Sequence, residues 1–274
     1  MTNTQAELAE ERVLVEYNID GGVAVLTLND PPANTYSYEM MQQLDRAILA
    51  ARMDDAVQVI VITGKGDKFF CAGADIQMLA NVTPTFKYYF CLHANETLNR
   101  LEQTPKLVIA AINGHCVGGG LEVAMAADIR VARRGAGKLG LPEVSLGVLP
   151  GTGGTQRLTR LVGKSKAIEF MITGQLFDFE KGLDLGLLNR VFDAESGDQF
   201  RALVLEFARE FTSPNKAARA VGNIKRSVQT GAETSFETAL ALERELQQQL
   251  FQSEDAREGL EAYVAKRKAE FKGR

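Results

Sequence analysis

Two acidic side chains stand in apolar surroundings: Glu122 within LEVAMAA (121–127) and Glu143 within LGLPEVSLGVLPG (139–151). A carboxylate placed there is costly unless it is paired or lies at a helix N-terminus. Two at one site, one protonated and one ionised, suit general acid–base work on a neutral substrate. Each also reads as a solvated first-turn helix residue, and spacing alone does not bring the two together. The chain also carries two loops of small residues, CAGADI (71–76) and GGGLE (118–122), each after a buried strand. Glycine and alanine let a ligand approach the backbone closely. A loop entering a helix leaves backbone N–H groups unpaired, and such donors suit a developing negative charge. One donor from each loop would make an oxyanion hole. Either loop alone reads equally well as a tight strand–helix turn.

Other motifs fail on inspection. GTGGTQ (151–156) lacks the third glycine of a dinucleotide fingerprint and follows no clear strand. VGKS (162–165) resembles the end of a phosphate loop, but Leu158 stands where the upstream glycine is required. No G-x-S-x-G occurs, so a serine-hydrolase elbow is not expected. His115 and Cys116 flank the second glycine loop and read as packing residues. Two histidines, His93 and His115, are too few and too scattered for a zinc site.

The elements that must position these residues follow from hydrophobic patterning. Val13–Val15 and 23–28, joined through Gly21-Gly22, read as a hairpin. Met40, Met41, Leu44, Ile48 and Leu49 recur at helical spacing from Ser37 to about Met53. VQVIVIT (57–63) is a β-branched run suited to a strand buried on both faces. A glycine-containing loop, GKGDKFFCAGADI (64–76), follows, and then a mostly helical stretch to about Gln103. The pattern then repeats: strand 107–112, glycine loop, helix LEVAMAAD, strand 129–132. Such β–loop–α periodicity indicates an α/β fold. Helices are expected over 155–174, near 179–186 and over 196–212, and only helices after about Ala217. Residues 1–10 are polar and expected to fray.

Composition narrows the function. The 274 residues allow one large domain, or one with a small appendage. With 45% apolar and 24% charged residues, an extensively disordered chain is excluded. No apolar run is long enough to span a bilayer. A net charge of −4 gives no general pull toward nucleic acid or anionic lipid. Cys71, Cys91 and Cys116, odd in number and without C-x-x-C spacing, read as reduced thiols. MTNTQAELAEERV has no apolar stretch typical of a secretory signal, and FKGR is not a peroxisomal address, so cytoplasm is the expected location.

Several segments in order resemble the enoyl-CoA hydratase/isomerase (crotonase) superfamily. They are FFCAGADI (69–76), AAINGHCVGGGLEVAMAADIRVA (110–132), LGLPEVSLGVLPGTGGTQRLTRLVG (139–163), ITGQLFDFEKGLDLGLLNRV (172–191) and EGLEAYVAKRKAEFKGR (258–274). The resemblance runs from about Val13 to Arg274. It implies a spiral of ββα repeats over 1–195 carrying the acyl-CoA site. It also implies a C-terminal all-helical trimerisation region over 196–274, giving a homotrimer or homohexamer. The implied oxyanion hole is the pair of amides of Ala74 and Gly119. The implied catalytic pair is Glu122 and Glu143, with the Gly151 amide holding the reacting water. Ala72, Asp75, Ile76 and Gln77 fall in the substrate- and CoA-binding segment. No metal or cofactor is implied, coenzyme A being part of the substrate.

Family isomerases typically keep only the second glutamate, so the presence of both favours a 2-enoyl-CoA hydratase. An isomerase, or another acyl-CoA lyase or hydrolase, is the alternative within the family. An RNA-binding relative is disfavoured by the acidic balance, and a nicotinamide oxidoreductase by the broken glycine fingerprint. The chain departs from the common pattern at Gln77, where many members have lysine. It departs again at Tyr36, where many have a small or aliphatic residue. Phe86, Tyr88, Tyr89 and Phe90 read either as lining for a cyclic or aromatic acyl group or as helix packing.

Overall fold

The computed structural model describes residues 12–274, so the expected frayed start at 1–10 lies outside the described residues. Strands β1 (Val15–Asp20) and β2 (Val23–Leu28) form the expected antiparallel hairpin. Its turn, Gly21-Gly22, has φ values of 58° and 82°, the left-handed pair that suits a two-residue hairpin. Helix α1 (Tyr38–Met53) starts where the Ser37 hydroxyl accepts the Met40 N–H at 3.3 Å. It buries Met40, Met41, Leu44 and Ile48, while Leu49 faces outward.

The next segments alternate between two sheets. β3 (Val59–Gly64) is buried throughout and runs parallel to β2. The chain then turns sharply into β4 (Phe69–Cys71) of a second sheet. The turn needs Gly64, because a Cβ there would overlap the Phe69 and Phe70 carbonyl oxygens. The helical stretch before Gln103 is two helices, α2 (Ile76–Ala80) and α3 (Pro84–Gln103). Pro84 cannot continue a preceding helix but fits the first turn of a new one, capped by Thr83.

The pattern repeats with β5 (Leu107–Ile112), β6 (His115–Val117) and α4 (Gly119–Met125). It repeats again with β7 (Ile129–Arg133) and β8 (Leu139–Gly140), followed by a single 3₁₀ turn at Glu143–Leu146. The large sheet has the order β1-β2-β3-β5-β7-β9, where β9 is Arg190–Phe192, and the small sheet β4-β6-β8. Every pairing between these strands after the hairpin is parallel. Each repeat thus gives one strand to each sheet, which is the expected ββα spiral.

The helix expected over 155–174 is two, α5 (Gly154–Val162) and α6 (Lys164–Thr173), broken at Gly163 with φ 81°. α7 (Phe179–Asp184) precedes β9. The chain closes with α8 (Gly197–Arg209), α9 (Ala218–Gly231), α10 (Phe236–Phe251) and α11 (Glu254–Val264). One face of the large sheet packs on α1, α3 and α4, and the other on Phe200, Val204 and Phe207 of α8. The last three helices expose Ile224, Val228, Phe236, Phe251, Leu260, Tyr263 and Val264. Among the described residues no helix is long and apolar enough to cross a membrane. The three cysteines are free.

The loop between β2 and α1 is tied to the second sheet by Asn34, which is 1% exposed. Its amide donates to the carbonyls of Lys65 and Phe69, both at 3.0 Å, and its Oδ1 accepts the Asp30 N–H at 3.2 Å. Asn34→Ala takes this donor from the Lys65 carbonyl and this acceptor from the Asp30 N–H, while the Phe69 carbonyl keeps the Asn113 amide, and the change is expected to cost about 1–3 kcal/mol. Denaturant unfolding checks this; an unchanged midpoint would contradict it.

Candidate active site

The three strands of the small sheet are parallel, so their C-terminal ends open at one edge. Residues 72–75 leave β4 there, 118–119 leave β6, and 141–143 leave β8. Both glycine loops and Glu143 are therefore neighbours by topology, although they are distant in sequence. They line one cavity of about 270 Å³, together with Glu122 and the 148–152 segment.

The two glycine loops lie against each other. Gly73 has φ 94°, and a Cβ built on it would stand 3.0 Å from the Gly119 amide nitrogen. Tyr36 lies alongside in a parallel bridge to Ala74. In that bridge Tyr36 N–H donates to the Gly73 carbonyl at 2.9 Å, and Asp75 N–H donates to the Tyr36 carbonyl at 3.1 Å. The bridge skips the Ala74 amide. Neither the Ala74 N–H nor the Gly119 N–H meets an acceptor among the described residues, and both residues line the cavity. Gly119 is the first residue of α4, so the helix dipole adds to its positive potential. The Gly151 N–H, also on the cavity wall, likewise meets no acceptor.

The two glutamates line the same cavity in different settings. Glu122 projects from α4 and is 2% exposed. Its Oε1 accepts the N–H groups of Thr152 and Gly154, both at 2.7 Å. Burial raises its pKa, and these amides, the Thr152 side chain and the more distant Arg157 charge oppose the rise. Glu143 sits over Gly118, where a Cβ would approach its Oε1 to 3.3 Å. Its Oε2 is buried without a partner. Burial chiefly, then the Glu122 charge, pushes its pKa up to about 7, against its own backbone N–H and Lys87. One carboxylate is thus surrounded by donors that favour its charge, while the other keeps an oxygen with nothing to accept from.

Among the remaining sequence candidates, Ala72 and Ile76 line the cavity. Asp75 and Gln77 do not. The Asp75 carboxylate caps α2, accepting the Gln77 N–H at 2.8 Å and the Met78 N–H at 3.3 Å. The Gln77 side chain is exposed. None of the four aromatics between 86 and 90 lines the cavity. Phe86 and Phe90 pack against Tyr38, and Phe90 also against Tyr36, while Tyr88 and Tyr89 are exposed. His115 packs on Phe69, and Cys116 is buried, as expected for packing residues.

Several cavity residues escaped the sequence reading, among them Thr152, Tyr36 and Lys87. Thr152 lay inside the rejected fingerprint GTGGTQ. Tyr36 stood out as an unusual residue type, but its bridge to Ala74 is a long-range pairing. Lys87, whose ammonium lies 5.3 Å from the Phe90 ring centre, had only the pattern of an exposed helix residue.

Residues 18–274 match the family model described as enoyl-CoA hydratase/isomerase. The chain belongs to the enoyl-CoA hydratase/isomerase family. A probable enoyl-CoA hydratase of Bacillus subtilis strain 168 is 39% identical over 258 residues, covering 93% of this chain and 97% of that protein. A short-chain-enoyl-CoA hydratase of Clostridium acetobutylicum is 38% identical over 257 residues, covering 93% and 96%. A crystal structure of a Geobacillus kaustophilus HTA426 enoyl-CoA hydratase superposes with a TM-score of 0.91 at 43% identity, covering 95% of this chain and 97% of that one. The family's fold is the two-sheet ββα spiral described above.

Proposed function

We propose that the protein adds water across the 2,3 double bond of a 2-enoyl-CoA to give a 3-hydroxyacyl-CoA. The observation that carries this reading is the unequal pair of glutamates in one cavity beside two unpaired amides. The thioester carbonyl oxygen accepts hydrogen bonds from the Ala74 and Gly119 N–H groups, which stabilise the enolate-like charge that builds on it. Glu122, ionised and fixed by the Thr152 and Gly154 amides, takes a proton from a water held with the Gly151 N–H. The water oxygen bonds to Cβ, and the π electrons move toward the thioester. Glu143, protonated, delivers its proton to Cα.

Three backbone donors and two carboxylates carry the addition, with no metal or redox group taking part; it leaves Glu122 protonated and Glu143 ionised, and exchange with solvent restores both before the next turnover. Ala72 and Ile76 contact the acyl-CoA on the cavity wall, while Asp75 shapes that wall by capping α2. Gln77 meets coenzyme A only outside the cavity. The apolar side chains exposed on α9–α11 fit burial between copies in a homotrimer or homohexamer, with the protein acting in the cytoplasm. Isomerisation, the alternative, needs Glu143 ionised and leaves the water-holding arrangement around Glu122 without a task.

The pH dependence follows from the sign of the Glu143 shift. A carboxyl group whose pKa is raised to about 7 keeps its proton up to that pH and loses it above. A general acid is thereby lost, so kcat/KM for crotonyl-CoA hydration is expected to fall as pH rises through about 7. The two carboxylates interact, so the limbs of the profile belong to the pair. Following the conjugated-thioester absorbance across pH tests this. A rate that climbs steadily through the alkaline range would contradict Glu143 as the acid.

A further inference from the structure

Residues 151–154 supply every backbone group that serves Glu122 and its water. The Thr152 and Gly154 N–H groups bind the carboxylate at 2.7 Å each, and Gly151 lies on the cavity wall. Three of these four residues are glycine, so the stiffness of the segment must come from outside it.

That support comes from side chains on α3 and α5. Arg157, on α5, donates from Nη1 to the Thr152 carbonyl at 3.1 Å. Its Nε and Nη2 form a fork on the Glu102 carboxylate, at 2.9 and 2.6 Å. Nη2 also donates to Asn99 Oδ1 at 3.1 Å. The guanidinium lies against Gly153, where φ is 101° and a Cβ would overlap Nη1. Glu102 and Asn99 share a face of α3 with Asn95, whose Nδ2 donates to the Gly151 carbonyl at 3.4 Å. That carbonyl and the Thr152 N–H belong to one planar peptide group, so holding the oxygen aims the N–H at Glu122.

The side chains of Arg157 and Glu102 are 11% and 22% exposed. An ion pair so far withdrawn from water adds little stability over an apolar pair of the same size. What the fork does supply is a fixed direction for the guanidinium. We infer that Arg157, oriented by Glu102 and Asn99, is a positioning residue for hydration that holds residues 151–154 with their amides on Glu122 and on the reacting water. This rests on the reading of Glu122 as the base. None of Asn95, Asn99, Glu102 and Arg157 lines the cavity, so the effect runs through the loop backbone.

The test reads kcat, KM and the acid limb of the pH profile on crotonyl-CoA in three variants. Arg157→Lys keeps the charge and loses the fork. It is expected to lower kcat about ten- to a hundredfold with KM nearly unchanged, the scale of a misplaced reacting group. Its acid limb moves to higher pH, because Glu122 with slackened amides takes up a proton more readily. Glu102→Gln separates position from charge. Loss of a negative charge would by itself move the limb to lower pH, whereas release of the guanidinium moves it to higher pH, which is the expected result. Glu102→Leu/Arg157→Met leaves no unpaired charge in the interior and controls for folding. It is expected to melt near the parent and still match Arg157→Lys in kcat and acid limb. Glu143 and Tyr36, the other titratable groups coupled to Glu122, are unchanged in all three.

Full activity in Arg157→Lys would mean that the charge alone suffices, and would overturn the inference. So would a limb moved to lower pH in Glu102→Gln, effects confined to KM, or a folded double variant with parental kcat. Normal hydration by Glu122→Gln would instead remove the underlying reading of Glu122 as base. A slow Glu122→Gln enzyme with silent Arg157 and Glu102 variants would remove only the positioning role.

Discussion

Glu143→Gln is expected to reduce crotonyl-CoA hydration about 10²–10⁴-fold, the usual contribution of one general acid or base. Glutamine keeps the size of the side chain and cannot deliver a proton to Cα. Acyl-CoA binding is expected to survive, because the Ala74 and Gly119 amides and the apolar wall are untouched. The variant carries its own folding control. A folded-state pKa raised to about 7 means that the folded protein holds the Glu143 proton more tightly than the unfolded chain. Stability from this group is present at acid pH and is lost as pH rises from the unfolded value through about 7. Above that range the ionised side chain costs about 1–2 kcal/mol, solvent screening of this half-buried group reducing the full effect of the shift. Glu143→Gln should therefore melt higher than the parent at alkaline pH and converge with it in acid. A slower but more stable protein marks a site built for chemistry at the expense of stability. Near-normal turnover would refute the acid role. Glu122→Gln should lose activity on the same scale; burial raises the Glu122 pKa as well, so this group also loses stability as pH rises, with the Thr152 and Gly154 amides offsetting part of that loss.

Gly119→Ala should slow the reaction sharply through a single added methyl. A Cβ on Gly119 would overlap the Tyr36 hydroxyl and ring edge. Tyr36 cannot yield freely, because its backbone is bridged to Ala74 and its ring lies against Phe90. Gly119 itself must shift, and its N–H is then misdirected from the thioester oxygen. Loss of one such donor typically costs about 10²–10³ in kcat. The expected result is a fall of that size, with partial recovery in Gly119→Ala/Tyr36→Ala, where the colliding ring is removed. A Gly119→Ala enzyme with unchanged kcat would show that this amide does not serve the reaction.

Much of the fold was legible because its strong signals are local. The buried runs around 59–64 and 107–112, the Gly21-Gly22 turn and the Ser37 cap each sit within a few residues of the sequence. The small sheet was not legible. β4, β6 and β8 have two or three residues each, too few for alternation to show, yet their shared edge brings Gly119, Ala74 and Glu143 together. Helix breaks were missed at Pro84 and Gly163, where apolar spacing continued across a backbone conformation that helices do not adopt.

At the site, the candidate residue types were legible and their environments were not. Ala74, Gly119, Glu122, Glu143 and Gly151 share one cavity. The donor set that distinguishes Glu122 from Glu143 comes from Thr152 and Gly154, thirty residues downstream of Glu122, at distances no local pattern encodes. Tyr36 drew notice as an unusual residue, but its partner Thr152 sits 116 positions away. The aromatic run 86–90 suggested a pocket lining equally well, and only the helix orientation assigns Phe86 and Phe90 to packing.

The most direct test of the central claim follows the atoms of crotonyl-CoA in deuterated, heavy-oxygen water, read by mass spectrometry and NMR at early turnover. The account predicts a 3-hydroxybutyryl-CoA carrying one solvent oxygen at Cβ and one deuteron at Cα, formed by the parent enzyme and lost in both Glu122→Gln and Glu143→Gln. Deuterium at C4 in a recovered enoyl-CoA without oxygen incorporation, or release of free coenzyme A, would contradict it and assign the cavity to isomerisation or thioester hydrolysis.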